Sequence, residues 1–170
     1  MLITRNEEYG VRLVLRLARQ QEQLTVTQLA ELENLPEPTV SKVLLQLRRA
    51  RLVSAERGRN GGYTLVDPPE TTSVARVLGA LGEPLFAGRF CQSEPSCDCP
   101  NDSECGLRSV WSHIDRMIEA VLSGTTLKDL LGTERSVEHH VRGLWPLTGS
   151  RGAGSVDTGR MTPVYEGENA

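Results

Sequence analysis

Apolar positions in the first half of the chain recur at helical spacing. Val11, Val14, Leu15 and Ala18 form one stripe, and Thr4 ahead of them suits a capped start, with Glu7 and Glu8 complementing the positive helix end. A second helix is predicted after Thr27, with Leu29, Ala30 and Leu32 facing inward; Asn34, Leu35 and Pro36 break it. The third begins at Pro38, a residue suited to the first helical position, and runs from 39 to about 51. Its apolar face is Val40, Val43, Leu44 and Leu47.

The period then changes. Residues 52–56 and 63–66 read as short strands, and Asn60, Gly61 and Gly62 between them tolerate the positive φ of a hairpin turn. Ser73 caps a short helix over 74–81, closed by Gly82 and Pro84. Residues 85–103 show no period and read as loop. Asn101 with Glu104 resembles a capping box, which would place Cys105 in the first turn of the most regular helix in the chain. There Leu107, Val110, Ile114, Met117 and Val121 step by three and four, with Trp111, Ile118 and Leu122 beside them, and Gly124 ends the run. One more short turn follows over 126–131, and the region 132–170 reads as a disordered tail, richest in Gly and Ser beyond 149.

The pattern predicts a mainly α fold with one small β-hairpin. Hydrophobic residues make up 38% of the 170 positions and aromatics only 4%, so the core is aliphatic and modest. No apolar run approaches a bilayer span and no export signal opens the chain, which predicts a cytoplasmic, soluble protein with no membrane partner.

A formal charge of −3 argues against a nucleic-acid partner until it is divided along the chain. Residues 1–66 carry 10 Lys/Arg against 7 Asp/Glu, and residues 67–170 carry 9 against 15. Within 38–62 six basic side chains (Lys42, Arg48, Arg49, Arg51, Arg57 and Arg59) face one acid, Glu56. With Val40, Val43, Leu44 and Leu47 turned inward, Thr39, Ser41, Lys42, Gln46 and Arg49 are free to meet base edges or phosphates. Arg57 and Arg59 on a Gly-tipped hairpin suit the minor groove or the backbone. Two helices joined by a short turn, followed by such a hairpin, describe a winged helix-turn-helix. A basic helix alone would be an ordinary solvated face; the hairpin makes double-stranded DNA the better partner.

Four cysteines, and no others, lie in the spacing Cys91-x5-Cys97-x-Cys99-x5-Cys105. Without an export signal, such a cluster points to metal or redox chemistry more than to structural disulfides. Paired C-x2-C knuckles, usual for structural zinc, are missing. Thiolates spread over a Pro/Ser-rich loop can wrap an iron–sulfur cluster, and one at a helix start is favoured by the dipole. Cys97 and Cys99 are separated by a single residue, which makes it awkward for both to bind one small cluster. Zinc and a thiol switch stay open, and neither a 2Fe–2S nor a 4Fe–4S cluster is preferred.

Four stretches together resemble the IscR/NsrR-type family of iron–sulfur transcription regulators, which includes RirA and the SUF-operon regulators. They are Leu2–Ile3–Thr4 with Tyr9–Gly10–Val11, the segment from Leu35 to Val43, the wing from Arg57 to Tyr63, and Cys105 leading into the long helix. The resemblance spans about residues 1–131. It implies a homodimer with crossing C-terminal helices, and a pseudo-palindromic DNA operator whose binding depends on the cluster. It assigns Cys91 and Cys105 as outer ligands, with Cys97 or Cys99 between them. IscR-type members place a His three residues after the last cysteine, where this chain has Arg108. Other members use an acidic side chain near the N-terminus, and Glu8 stands at that place. The chain thus divides into a winged head (1–83), a cysteine-rich loop (84–106), a dimerisation helix (107–131) and a tail (132–170). The resulting expectation is a repressor that senses cluster supply, iron, redox state or nitric oxide. An iron–sulfur carrier would not need the basic head, and no Cys–His pairing, phosphate-cradling loop or paired carboxylates suggest an enzyme.

Overall fold

Thr4 begins α1 (Arg5–Gln20) through a reciprocal cap. Its hydroxyl accepts from the Glu7 amide at 3.3 Å, and the Glu7 carboxylate accepts from the Thr4 amide at 2.6 Å. The computed structural model describes residues 3–20, 22–58, 61–82 and 106–144. The buried stripe of α1 is Gly10, Leu13, Val14, Leu17 and Ala18, turned slightly from the predicted one; Val11 and Leu15 are half-buried at its edge.

Helix α2 (Val26–Glu33) starts before Thr27. Thr25 is the cap because Gln28 stands three residues later and closes a capping box, a reciprocity Thr27 lacks. Leu32, expected inward, is 44% exposed, while Glu33 is buried in its place. The break at Asn34 is a left-handed cap with φ 52°.

Helix α3 (Glu37–Arg49) starts one residue before the predicted Pro38 and stops two short of 51. Arg51 takes φ 57°, and the Leu52 amide returns to the Leu47 carbonyl at 2.9 Å, ending the helix. Val40, Val43, Leu44 and Leu47 are all buried, as their spacing predicts.

The hairpin pairs β1 (Val53–Glu56) with β2 (Gly62–Leu65) antiparallel, in the register Val53 to Leu65 through Glu56 to Gly62. The N–H of Leu24 donates to the Tyr63 carbonyl at 3.1 Å and the Tyr63 N–H to the Leu24 carbonyl at 2.8 Å, so the segment before α2 adds a third, one-residue edge. Its single bridge has no period to read in the sequence.

Helix α4 (Val74–Gly79) is capped by Ser73 as predicted, and α5 (Gly106–Gly124) ends at the predicted glycine. Beyond Gly124 the short turn expected over 126–131 forms as α6 (Leu127–Leu130), and it packs with the head: Thr125 accepts from the Val74 amide, Ser73 bridges Thr126, and Leu127 is fully buried in the core. One expectation beyond it is corrected. The region 132–170 is not disordered throughout, because Glu134–Leu144 forms α7. Thr133 caps that helix start, the helix is strongly amphipathic with a narrow apolar stripe, and Leu144 packs against Gly124. The rest of that tail, the loop 83–105 and the predicted cap at Asn101 lie outside the described residues. Among the described residues no helix is long and apolar enough to cross a membrane.

Hydrogen bonds from the Thr126 hydroxyl and amide to Asp129, at 2.6 and 2.8 Å, hold its carboxyl below the ordinary value, with nearby His140 adding a smaller push the same way. A carboxyl depressed by folding stabilises the fold above its unfolded pKa, and that contribution disappears as pH falls through the folded value. Asp129→Ala is therefore expected to lower stability by about 1 kcal/mol at neutral pH. In urea unfolding the wild-type advantage should shrink as pH falls through the lowered folded value of Asp129 and vanish once that carboxyl is protonated in both states.

Candidate nucleic-acid interface

The hydrophobic core decides which side of α3 meets solvent. With its inner face buried against α1 and α2, the opposite side exposes Ser41, Lys42, Leu45, Arg48 and Arg49, with Thr39 and Gln46 half-buried at the flank. Arg51 follows on the exposed turn, and Arg57 stands exposed where the hairpin leaves β1.

Hairpin geometry sets that position. Gly58 has φ +119°, a region that L side chains rarely adopt, and its carbonyl accepts from the Gly61 amide at 3.0 Å. A Cβ at Gly61 would collide with the Glu56 carbonyl oxygen, so the turn needs a glycine there. Arg59 and Asn60 lie outside the described residues.

Ion pairing separates two kinds of arginine. Arg12 and Arg16 of α1 hold the buried Glu33 at 3.0 and 2.6 Å, and Arg76 holds Asp67 at 2.6 Å. Among the described residues none of Lys42, Arg48, Arg49, Arg51 and Arg57 is held in an ion pair. Glu56, the only acid in the stretch 38–62, accepts instead from Gln23 at 2.6 Å. Exposed cations held in no ion pair are free to neutralise phosphates.

One predicted DNA contact is also an internal one. Gln46 Oε1 accepts from Asn6 Nδ2 at 3.0 Å, and the same Asn6 nitrogen donates to the Leu81 carbonyl at 3.0 Å. Asn6 is 40 residues from Gln46 and 75 from Leu81, a separation that no local pattern spans.

The two carboxylates at the start of α1 differ. Glu7 is 4% exposed and its oxygen lies against Gly82, the last described residue before the cysteine loop. Glu8, the candidate ligand, faces solvent and approaches Arg12 at 3.7 Å. Cys91, Cys97, Cys99 and Cys105 lie outside the described residues, among which no three His, Cys, Asp or Glu converge on a metal position.

A helix-turn-helix whose outer helix is basic, followed by an Arg/Gly hairpin, defines a winged-helix DNA-binding head. The Rrf2 family profile, described as iron-dependent transcriptional regulator, matches residues 3–133, and the chain belongs to that family. It is 34% identical over 142 residues to an HTH-type transcriptional regulator of Synechocystis, covering 80% of this chain and 91% of that one. Its fold matches CymR, the global cysteine regulator of B. subtilis, with a TM-score of 0.66 and 26% identity over 77% of this chain and 96% of that one. T. potens IscR matches with a TM-score of 0.61 and 27% identity over 77% of this chain and 86% of that one. These relatives are regulators and not enzymes, in line with the resemblance read from the sequence.

Arg57→Ala should weaken binding to any duplex and lower the salt dependence by about 0.9 for each phosphate no longer neutralised. Fluorescence anisotropy across a salt series measures this. A weakening that depends on the sequence bound would instead identify a minor-groove shape contact.

Proposed function

We propose that the chain is a homodimeric cytoplasmic repressor whose operator affinity is set by an iron–sulfur cluster. The observation that carries this reading is the spacing Cys91-x5-Cys97-x-Cys99-x5-Cys105, placed directly after a winged head of an iron-dependent regulator family. Cys91 and Cys105 would hold the two ends of the cluster, Cys97 or Cys99 the middle, and Glu8 is the candidate fourth ligand. Soft anionic thiolates fit such a group, and the exposed Glu8 carboxylate is open to one. When bound, the cluster supplies sensitivity to iron, oxidants or nitric oxide. The protein's part is to turn the state of the loop into a change in head spacing. A second reading, a thiol switch without a cluster, draws support from the likeness to CymR, a cysteine regulator.

Anaerobic purification with absorption spectroscopy and iron and sulfide analysis separates the two readings and the two cluster types. Cys91→Ser and Cys105→Ser should each abolish the visible chromophore, whereas Cys97→Ser and Cys99→Ser should differ from each other. Glu8→Ala should shift the spectrum or speed cluster loss if the carboxylate is a ligand. One zinc and no sulfide in anaerobic protein would overturn the cluster and leave the DNA-binding head intact.

The dimer rests on α5. None of its apolar side chains is buried in the single chain, and Leu107 and Val110 are 57% and 51% exposed. A contiguous apolar stripe of this kind favours a partner surface, and the same helix of a second copy is self-complementary. Two copies would present two basic heads to half-sites about one helical turn apart. Ile114→Glu is expected to give monomers of unchanged helical content, read by light scattering and circular dichroism.

A further inference from the structure

The outer side of α3 carries a line of groups that can only donate hydrogen bonds, and its middle member is made so by a residue outside the helix. Lys42, Gln46 and Arg49 stand at successive turns. Lysine and arginine have no acceptor; glutamine ordinarily has both donor and acceptor. Here the choice is made by Asn6. The Leu81 carbonyl only accepts, so the nitrogen of the Asn6 amide, and not its oxygen, faces it at 3.0 Å. The second N–H of that nitrogen points to Gln46 at 3.0 Å, and only the Gln46 oxygen can receive it. The Gln46 amide nitrogen is then the group left for an outside partner.

The anchor of this relay is firm. Leu81 is 7% exposed, and its Cδ1 occupies the space where a Cβ of residue 10 would sit, so Gly10 allows α4 to close on α1. Asn6 is thereby held between a fixed carbonyl and the base-reading helix.

We infer that Asn6 is a specificity-determining positioning residue that commits Gln46, with Lys42 and Arg49, to reading guanine. In the major groove guanine offers two acceptors, N7 and O6, thymine offers only O4 beside its methyl group, adenine pairs an acceptor with the N6 donor and cytosine presents a donor. Glutamine's usual adenine contact needs its oxygen directed at N6, and here Asn6 engages that oxygen. The inference rests on α3 being the base-reading helix.

The test uses the full-length chain and duplexes it selects from a randomised pool, with guanines replaced one at a time by 7-deazaguanine, which lacks N7. At one guanine per half-site the replacement is expected to weaken wild-type binding about tenfold. The same replacement should change binding of the Gln46→Leu chain by less than about twofold, because leucine makes no hydrogen bond to N7. Asn6→Asp offers only acceptors, so it turns the Gln46 amide around; adenine or cytosine at that position should then bind about tenfold better relative to guanine. Circular dichroism checks that both variants keep their helices. Equal 7-deazaguanine penalties in wild type and Gln46→Leu overturn the inference, as does an Asn6→Asp chain with wild-type base preference. If Asn6→Asp fails to fold, the Gln46→Leu comparison decides alone. A wild-type chain that enriches no duplex would overturn the operator reading as well; enrichment without these position-specific changes overturns only the role of Asn6.

Discussion

Helices α2, α3, α4 and α6 and strand β2 all pack on α1, so their mutual angles depend on how one sixteen-residue helix presents itself. Three features of its sequence allow this. Leu13, Val14 and Leu17 supply the apolar face. Gly10 leaves room for Leu81, whose Cδ1 any side chain there would strike. Arg12 and Arg16, one turn apart, close on both oxygens of Glu33 at the last residue of α2, and Arg12 also donates to the Glu33 carbonyl at 2.5 Å. Cations at a helix C-terminus meet the negative end of its dipole, and a buried carboxylate left without them would be strongly destabilising. Because α2 leads through Asn34 directly into α3, this clamp also sets the pose of α3.

Charge is divided accordingly. Arg12 and Arg16 of α1 are consumed by Glu33 inside the fold, while among the described residues Lys42, Arg48, Arg49 and Arg57 are held in no ion pair. Net charge alone hides this division, since the acids of residues 67–170 outnumber the bases. Screening lengths of about 8 Å at physiological salt mean that a phosphate at α3 senses the local cations far more than the distant acids. An acidic protein can therefore carry a basic reading surface without contradiction.

What the sequence reveals depends on the range of the forces involved. The inner face of α3 and the two strands are legible because spacing at i, i+3 and i+4 and a Gly-rich break are local signals, although the positive φ falls on Gly58 and not on Gly61 or Gly62. Helix α2 begins at Thr25 rather than after Thr27 because of Gln28, a signal present in the sequence but outweighed by the apolar stripe. Helix α7 has only Val137, Val141 and Leu144 as a narrow stripe, none of them buried. It is stabilised by tertiary contacts, including His140 Nε2 with the Gly124 carbonyl at 3.1 Å, and no local pattern announces those. Leu24 on the hairpin and Asn6 on Gln46 are likewise long-range. The basic surface is legible residue by residue; the internal bond that orients Gln46 is not.

The same contrast between local and long-range forces bears on how α5 can act on DNA. Its C-terminal end is tied to the head: Thr125 accepts from Val74, Thr126 bridges Ser73, and Leu127 is buried with Leu13 and Val77 in one core. Its outer side is apolar and exposed to water at Leu107 and Val110, while Trp111, Ile114, Met117, Ile118, Val121 and Leu122 are half-buried. A surface that covers this stripe is thus coupled through a short, hydrogen-bonded junction to the element that carries α3. In the dimer proposed above, two heads joined in this way could not change their separation without moving α5, which begins at Gly106, directly after Cys105 in the chain. On that reading a chemical change at the last cysteine would act at one end of a lever whose other end is fixed in the winged head.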